Sequence, residues 1–281
     1  MMETPARSEF HVDVKESDTN AVDALAALTG FSRQRIKMAM QRGAVWLTSG
    51  GSCRRIRRAK KALRAGDELD LYYDERVLLS EPIAPTLIAD EGDYSLWFKP
   101  CGLLSQGSKW GDHCTVSRWA EQHLIPQRPG FIIHRLDRAA TGFILVGHTK
   151  AATVALTNLF QSREIEKRYR VIVHGEFPDA PSPYTIKIAI DGKASTSHVT
   201  RIAFDQQQQR SLLSVDIETG RKHQIRRHLS ESGYVVVGDR LYGSGEDSED
   251  LQLTACYLAF KCPLSGKQRR YTLADEFLPE L

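Results

Sequence analysis

The chain has 281 residues, 41% of them hydrophobic and 26% charged, with a net charge of +3. That is the composition of a soluble globular protein with room for two domains, one small and one of ordinary size. It argues against a membrane-spanning protein, since no apolar run approaches the ~20 residues needed to cross a bilayer, and no signal peptide is read at its start. The five cysteines are odd in number, scattered and without a Cys-x-x-Cys pair. They point to reduced thiols and a cytoplasmic location, not to a disulfide framework.

Residues 1–9 are polar and small and read as a loose terminus. Asp18 to Leu28 reads as a helix closed by Gly30. Ser32 then offers an N-cap to a second helix, Arg33 to Arg42, which Gly43 ends. On that helix Ile36 and Met40 are four apart and face a core, while Arg33, Lys37 and Gln41 line another side. Ala44–Ser49, a Gly50-Gly51 turn and the alternating Leu69, Leu71 and Tyr73 read as short strands.

Between Phe31 and Arg64 there are eleven basic residues and no acidic one. A run of one sign is the footprint expected for phosphate; the alternative is a solvated face, although such faces normally mix signs. Arg33, Arg35, Lys37, Arg42, Arg54, Arg55, Arg57 and Arg58 are the candidate nucleic-acid contacts. Glu75 to Ala89, with Pro82 and Pro85, reads as a connection. The domain boundary is set near residue 80, giving a small domain over 10–80, a linker over 81–89 and a second domain over 90–281.

In the second domain Tyr94–Phe98 reads as a strand that Pro100 stops. Val116 to Leu124 reads as a helix. Phe131–Ile133 and Phe143–Val146 read as buried strands around a polar stretch with His134, Arg135, Asp137, Arg138 and Thr141. Asp137 is thereby expected within a buried sheet, where a charge must be paired. A structural ion pair with Arg135 or Arg138 and a functional carboxylate are both open on chemistry alone. Gly142 suits unusual backbone angles or a close approach.

Ala151–Phe160 reads as a helix, Glu164–Glu176 as a strand, Gln206–Gln209 as a hairpin tip and Arg221–Ser232 as a helix. This order of mixed elements predicts an α+β domain on a largely antiparallel sheet flanked by helices. His223 and His228 are five apart, about 140° around a helix, so no metal pair is expected. No nucleotide-binding glycine loop is read either, and no cofactor is expected.

The stretch His134-Arg135-Leu136-Asp137-Arg138, followed by Thr141-Gly142-Phe143-Ile144-Leu145-Val146, resembles the signature of the RluA-type family of RNA pseudouridine synthases. Lys99-Pro100-Cys101-Gly102-Leu103-Leu104-Ser105 upstream, and Thr219 to Leu229 and Gly238 to Gly243 downstream, are similar to further blocks of that family in the same order. The resemblance covers about residues 90 to 280. Ala140-Thr141-Gly142 departs from the usual Thr-Ser-Gly, and Phe98 precedes Lys99 where a polar residue is common. Ser32–Ile36 and Arg42–Val45 resemble the small alpha-L RNA-binding domain of ribosomal protein S-four type.

The resemblance implies an enzyme, an isomerase that converts specific uridines of ribosomal or transfer RNA to pseudouridine, expected as a monomer without a nucleotide cofactor. It implies Asp137 as the catalytic carboxylate, as nucleophile or base, with Arg226 as its partner and Tyr169 stacking on the target base. Tyr169 as a plain core tyrosine is the other reading. Arg135 resembles the arginine associated with base flipping. Arg221, the alternative partner for Asp137, and Lys99 are candidate substrate contacts, and His134 either donates a structural hydrogen bond or touches RNA. A glycoside hydrolase would need a second carboxylate across the bond, and none stands out beside Asp137. A non-catalytic RNA-binding protein would keep the basic run but has no use for an Asp framed by arginines.

Overall fold

The computed structural model describes residues 7–17, 19–245 and 247–281. It divides into two units, one running to Ile83 and including Gln106–Trp119, the other comprising Ala84–Ser105 and Ala120–Leu281. Residues 1–6 of the expected loose terminus, and Asp18, expected to open the first helix, lie outside the described residues.

The first unit begins with β1 (Arg7–Asp13), so the expected loose terminus gives way at Arg7 to a strand. Phe10 and Val12 pack against the core from it, and His11 Nδ1 lies 2.8 Å from Asp70 on the partner strand. α1 (Ala21–Thr29) starts where Asn20 accepts from the Asp23 N–H and ends at Gly30, whose φ of 70° closes the last turn. α2 (Arg33–Gln41) starts at Ser32, which accepts from the Arg35 N–H. β2 (Val45–Ser49) and β3 (Ser52–Arg55) form a hairpin through Gly50 and Gly51, both at positive φ. That is the backbone a two-residue turn needs to match strand twist. β4 (Glu68–Asp74) completes the sheet in the order β1-β4-β2-β3. Leu25, Ile36, Met40, Leu47, Leu69 and Leu71 fill its core. α3 (Glu75–Leu79), capped by Asp74, occupies the start of the expected connection.

In the second unit β5 (Thr86–Asp90) pairs antiparallel with β6 (Tyr94–Lys99), so the last four residues of the expected linker lie in an edge strand. Its side chains are mostly exposed and show no burial alternation, which hid it behind Pro82 and Pro85. The other elements are α4 (Val116–His123), of which residues 120–123 belong to this unit, β7 (Phe131–Ile132), β8 (Thr141–Gly147), α5 (Lys150–Ser162), β9 (Glu166–His174), β10 (Tyr184–Ile186), β11 (Ser197–Asp205), β12 (Arg210–Ile217), α6 (Gln224–Glu231), β13 (Leu253–Lys261) and β14 (Gln268–Thr272). The strands run β10-β11-β12-β9-β13-β8-β6-β5, with β14 on β13 and β7 on β8. Only the β13–β8 pair among these is parallel. The fold is α+β with a mixed, mostly antiparallel sheet, as expected.

Two local expectations fail. Asp137 lies in the loop between β7 and β8, not in a strand. Helix α6 begins at Gln224, not Arg221, because Gln224 Oε1 accepts from Thr219 Oγ1 (2.7 Å) and from the Arg221 N–H (3.1 Å). Those bonds fold 219–223 into a tight turn that ends at His223 with φ 55°.

Gly142 sits where β8 meets β13, at φ 108°, and a Cβ there would lie 2.3 Å from the Ala255 carbonyl oxygen. Gly142→Ala is therefore expected to destabilise the protein by about 2–4 kcal/mol, through backbone strain plus separation of the two strands. Urea denaturation checks this; an unchanged midpoint would mean the strands tolerate a Cβ.

Candidate active site

Asp137 is held by its neighbours in sequence, and both are fastened to the segment after β6. The Leu136 N–H donates to Ser105 Oγ (3.0 Å), and that hydroxyl donates back to the Leu136 carbonyl (2.8 Å). The Arg138 carbonyl accepts from the Gly102 N–H (2.9 Å) and from Lys99 Nζ (3.1 Å). Lys99 is fully buried and spends its remaining donors on the carbonyls of Pro100 and Leu103. Burial brings its pKa down to about 8. Lys99 is thus corrected from a substrate contact to a clamp, since its three N–H groups face three carbonyls.

For His134 the direction of the structural hydrogen bond is corrected. Its Nε2 accepts from the Leu145 N–H (3.0 Å) instead of donating, and its ring stacks on Phe160 with centroids 4.2 Å apart. Burial, with Lys167 second, pushes its pKa down to about 3, so the ring is neutral.

The Asp137 side chain points at the first turn of α6. Arg226 Nη1 donates to Asp137 Oδ2 (3.1 Å), while Arg226 Nε and Nη2 donate to Asp239 Oδ2 and Oδ1, both at 2.7 Å. The Arg226 and Asp239 side chains are 8% and 0% exposed, against 24% for Asp137. Burial works against the ionised form of Asp239. The Arg226 fork and the N–H groups of Leu241 and Tyr242 outweigh it and hold the carboxyl below its usual range. For Arg226 too, burial is outweighed by its carboxylate partners, and its pKa rises. Breaking a buried pair of this kind costs about 3–5 kcal/mol, because one charge is left without compensation.

His223 stands 3.7 Å from Asp137 Oδ1 and 2.9 Å from the Tyr242 hydroxyl. Burial lowers its pKa, with the Asp137 charge opposing, so it is neutral near pH 7. Behind it α6 is pinned by His228, whose ring nitrogens engage Ser195, Ser197 and the Ile188 carbonyl. No group of metal-ligating side chains occurs among the described residues.

Asp137, Tyr169, Ile217, Arg221, Arg226 and Leu253 line a pocket of about 100 Å³. Tyr169 is half-buried on β9, opposite Val215 and Ala255. Burial, then the charge of Asp137, raises its pKa, so its hydroxyl stays protonated. Arg135 is exposed on the rim and has no ion pair among the described residues. Arg221 is half-buried and only loosely held, 3.4 Å from the Ala194 carbonyl. Asp239, Ser105 and His223 were missed as site residues. For all three the signal was their place in the family-like blocks Lys99–Ser105, Thr219–Leu229 and Gly238–Gly243; nothing within those blocks marked them out from their neighbours.

The basic run of the first unit is less uniform than its sequence suggests. Arg55 and Arg57 converge on Asp112, at 3.5 and 2.6 Å, and Arg55 also stacks on Trp46. Arg35 reaches Tyr73 and Glu75, and Arg42 reaches Glu81 and the carbonyls of Leu78 and Ser80. Arg33 pairs with Asp23. These four half-buried arginines (35, 42, 55 and 57) serve the fold, because acids outside the run come back to meet them. Lys37, Arg54 and Arg58 are exposed, with no ion pair among the described residues.

Comparison with known proteins supplies the family. A model of the RNA pseudouridylate synthase family matches residues 93–231. An uncharacterized RNA pseudouridine synthase of Aquifex aeolicus is 29% identical, covering 92% of this chain and 90% of the relative. The ribosomal large subunit pseudouridine synthase D of Zymomonas mobilis is 34% identical over 50% of this chain and 51% of its own. Among solved structures, human RNA pseudouridylate synthase domain containing 1 shares the fold, with a TM-score of 0.58 and 23% identity over 71% of this chain and 88% of that one. The chain belongs to the RNA pseudouridylate synthase family. It is an RNA pseudouridine synthase, an isomerase.

The neutral state of His134 has a measurable consequence. The folded chain keeps the ring unprotonated down to about 3, whereas an unfolded chain takes up the proton near 6.5. Within that window the unfolded state binds more protons, so stability falls as pH is lowered through it. His134→Gln can still accept from Leu145 and should flatten the plot of unfolding free energy against pH by up to ~1.4 kcal/mol per pH unit. An identical slope in the variant would mean that the folded ring protonates normally.

Proposed function

We propose that this synthase isomerises uridines of ribosomal RNA, with Asp137 as the catalytic carboxylate, Arg226 as its partner and Tyr169 as the stacking face for the extruded base. The observation that carries the assignment is the contrast between two carboxylates on one guanidinium: Asp239 is saturated with donors, while Asp137 receives one and opens onto the pocket. The ribosomal substrate rests on relatives from Zymomonas mobilis and Neisseria meningitidis named ribosomal large subunit pseudouridine synthase D.

The reaction breaks the C1′–N1 bond, turns the base and forms a C1′–C5 bond. The C5 proton is released and N1 ends protonated, so nothing is oxidised and no donor is consumed. A carboxylate can serve as nucleophile at the sugar or as base, and both roles need its ionised form. Extruding the uridine costs a few kcal/mol, least from a loop, and stacking on an aromatic face returns ~1–3 kcal/mol. Arg135, exposed at the rim and without an ion pair among the described residues, suits the space the base vacates. Arg221 suits a phosphate beside it. Lys37, Arg54 and Arg58 are the first-unit side chains best placed for further phosphate contacts, because they are exposed and none has an ion pair among the described residues.

Tritium release from RNA labelled at uracil C5 tests the assignment. Asp137→Asn keeps the shape and loses the charge; it should abolish release while RNA affinity stays within about threefold. Activity within about tenfold of the wild type would remove Asp137 from the chemistry.

A further inference from the structure

The catalytic pocket opens into a second cavity of about 590 Å³, and the two share Arg135, Tyr169, Ile217, Gly220 and Arg221. Sites that enclose a drug-sized ligand run from about 300 to 1,000 Å³. The larger cavity falls in that range, whereas the 100 Å³ pocket at Asp137 is sized for a single ring. Whatever is joined to the target base must therefore lie elsewhere, and the second cavity is the adjoining space.

Its lining is of two kinds. Ile132, Ile133 and Phe160 give it apolar surface. Arg163 and Lys167 also line it, neither with an ion pair among the described residues. The acid among the lining residues, Glu218, is turned to His198 at 2.8 Å. Arg163 holds the left-handed conformation at the end of α5, φ 63°, where glycine is usual. Lys167 is half-buried beside the Phe160 ring, 5.8 Å from its centroid, and burial followed by the Arg163 charge lowers its pKa. Two cations beside apolar surface, with no ion-pair partner among the described residues, are disfavoured in the free protein and relieved by an anion.

We infer that this cavity is a second nucleotide pocket, which takes a residue flanking the target uridine in the same strand, its base on Ile132, Ile133 and Phe160 and its phosphate on Arg163 and Lys167. The inference rests on the reading of Asp137 and Tyr169 as the uridine site. It narrows the substrate: at least two neighbouring nucleotides must leave their stack together, which favours a loop or bulge over continuous duplex.

The test uses a synthetic RNA hairpin carrying the uridine that loses its modification in cells lacking this gene. Abasic substitutions are placed one at a time at positions flanking that uridine. Binding to the full-length wild type and to an Arg163→Asn/Lys167→Gln variant is measured together with the single-turnover rate at saturating RNA. The variant should bind the intact hairpin about tenfold more weakly, with its rate within about twofold of the wild type. One abasic position should weaken wild-type binding about tenfold and cost the variant much less, since the two changes remove one interaction. Equal affinity of variant and wild type for the intact hairpin would overturn the inference, and so would abasic losses of the same size in both proteins. Failure of the wild type to isomerise the intact hairpin would instead count against the uridine site itself, a result the binding data do not produce.

Discussion

One guanidinium serves two carboxylates, and the site is arranged around that sharing. Arg226 donates two parallel bonds to Asp239 and a third to Asp137. The fork fixes the plane of the guanidinium, so the N–H that reaches Asp137 has a fixed direction instead of a mobile one. Asp239 Oδ1 also accepts from Leu241 N and Tyr242 N, at 2.9 and 3.1 Å. Its capacity is spent in holding Arg226. Asp137 keeps one oxygen without a strong donor, with neutral His223 3.7 Å away. Identical groups are thereby divided into a structural carboxylate and an available one by burial and donor count alone.

The second constraint is the clamp on a loop that has no regular structure of its own. Leu136 and Arg138, on either side of Asp137, are both bonded to the 99–105 segment, through Ser105, Gly102 and Lys99. Burying an ammonium is tolerated here because three carbonyls meet its three N–H groups. The carboxylate is then placed by rigid neighbours on one side and by the first turn of α6 on the other. Chemistry that depends on sub-ångström placement requires such support.

Much of this was legible in the sequence. The α+β class, helices α1 and α2 of the first unit and the strands β8 and β9 follow from apolar periodicity and from caps at Ser32 and Gly30. Family resemblance brought Asp137, Arg226 and Tyr169 into one site. Contacts between distant parts of the chain were not legible. Asp239 lies 13 residues beyond Arg226 and Lys99 39 residues before Arg138; no local pattern ties these groups. The basic run misled for the same reason, since Asp112 lies 55 residues from the Arg57 it neutralises. Edge strand β5 was hidden because exposed apolar residues such as Leu87 and Ile88 lack the alternation that marks a half-buried strand.

The dependence of the Asp137 site on Asp239 is best tested by the single-turnover rate of C5 tritium release from Asp239→Asn, measured with RNA affinity on the same preparation. Asp239 touches no substrate, so its influence must pass through Arg226. The expected result is a rate lowered by about a hundredfold or more, with RNA affinity within about threefold of wild type. A wild-type rate in a folded Asp239→Asn variant would contradict the view that the buried carboxylate positions the guanidinium for Asp137.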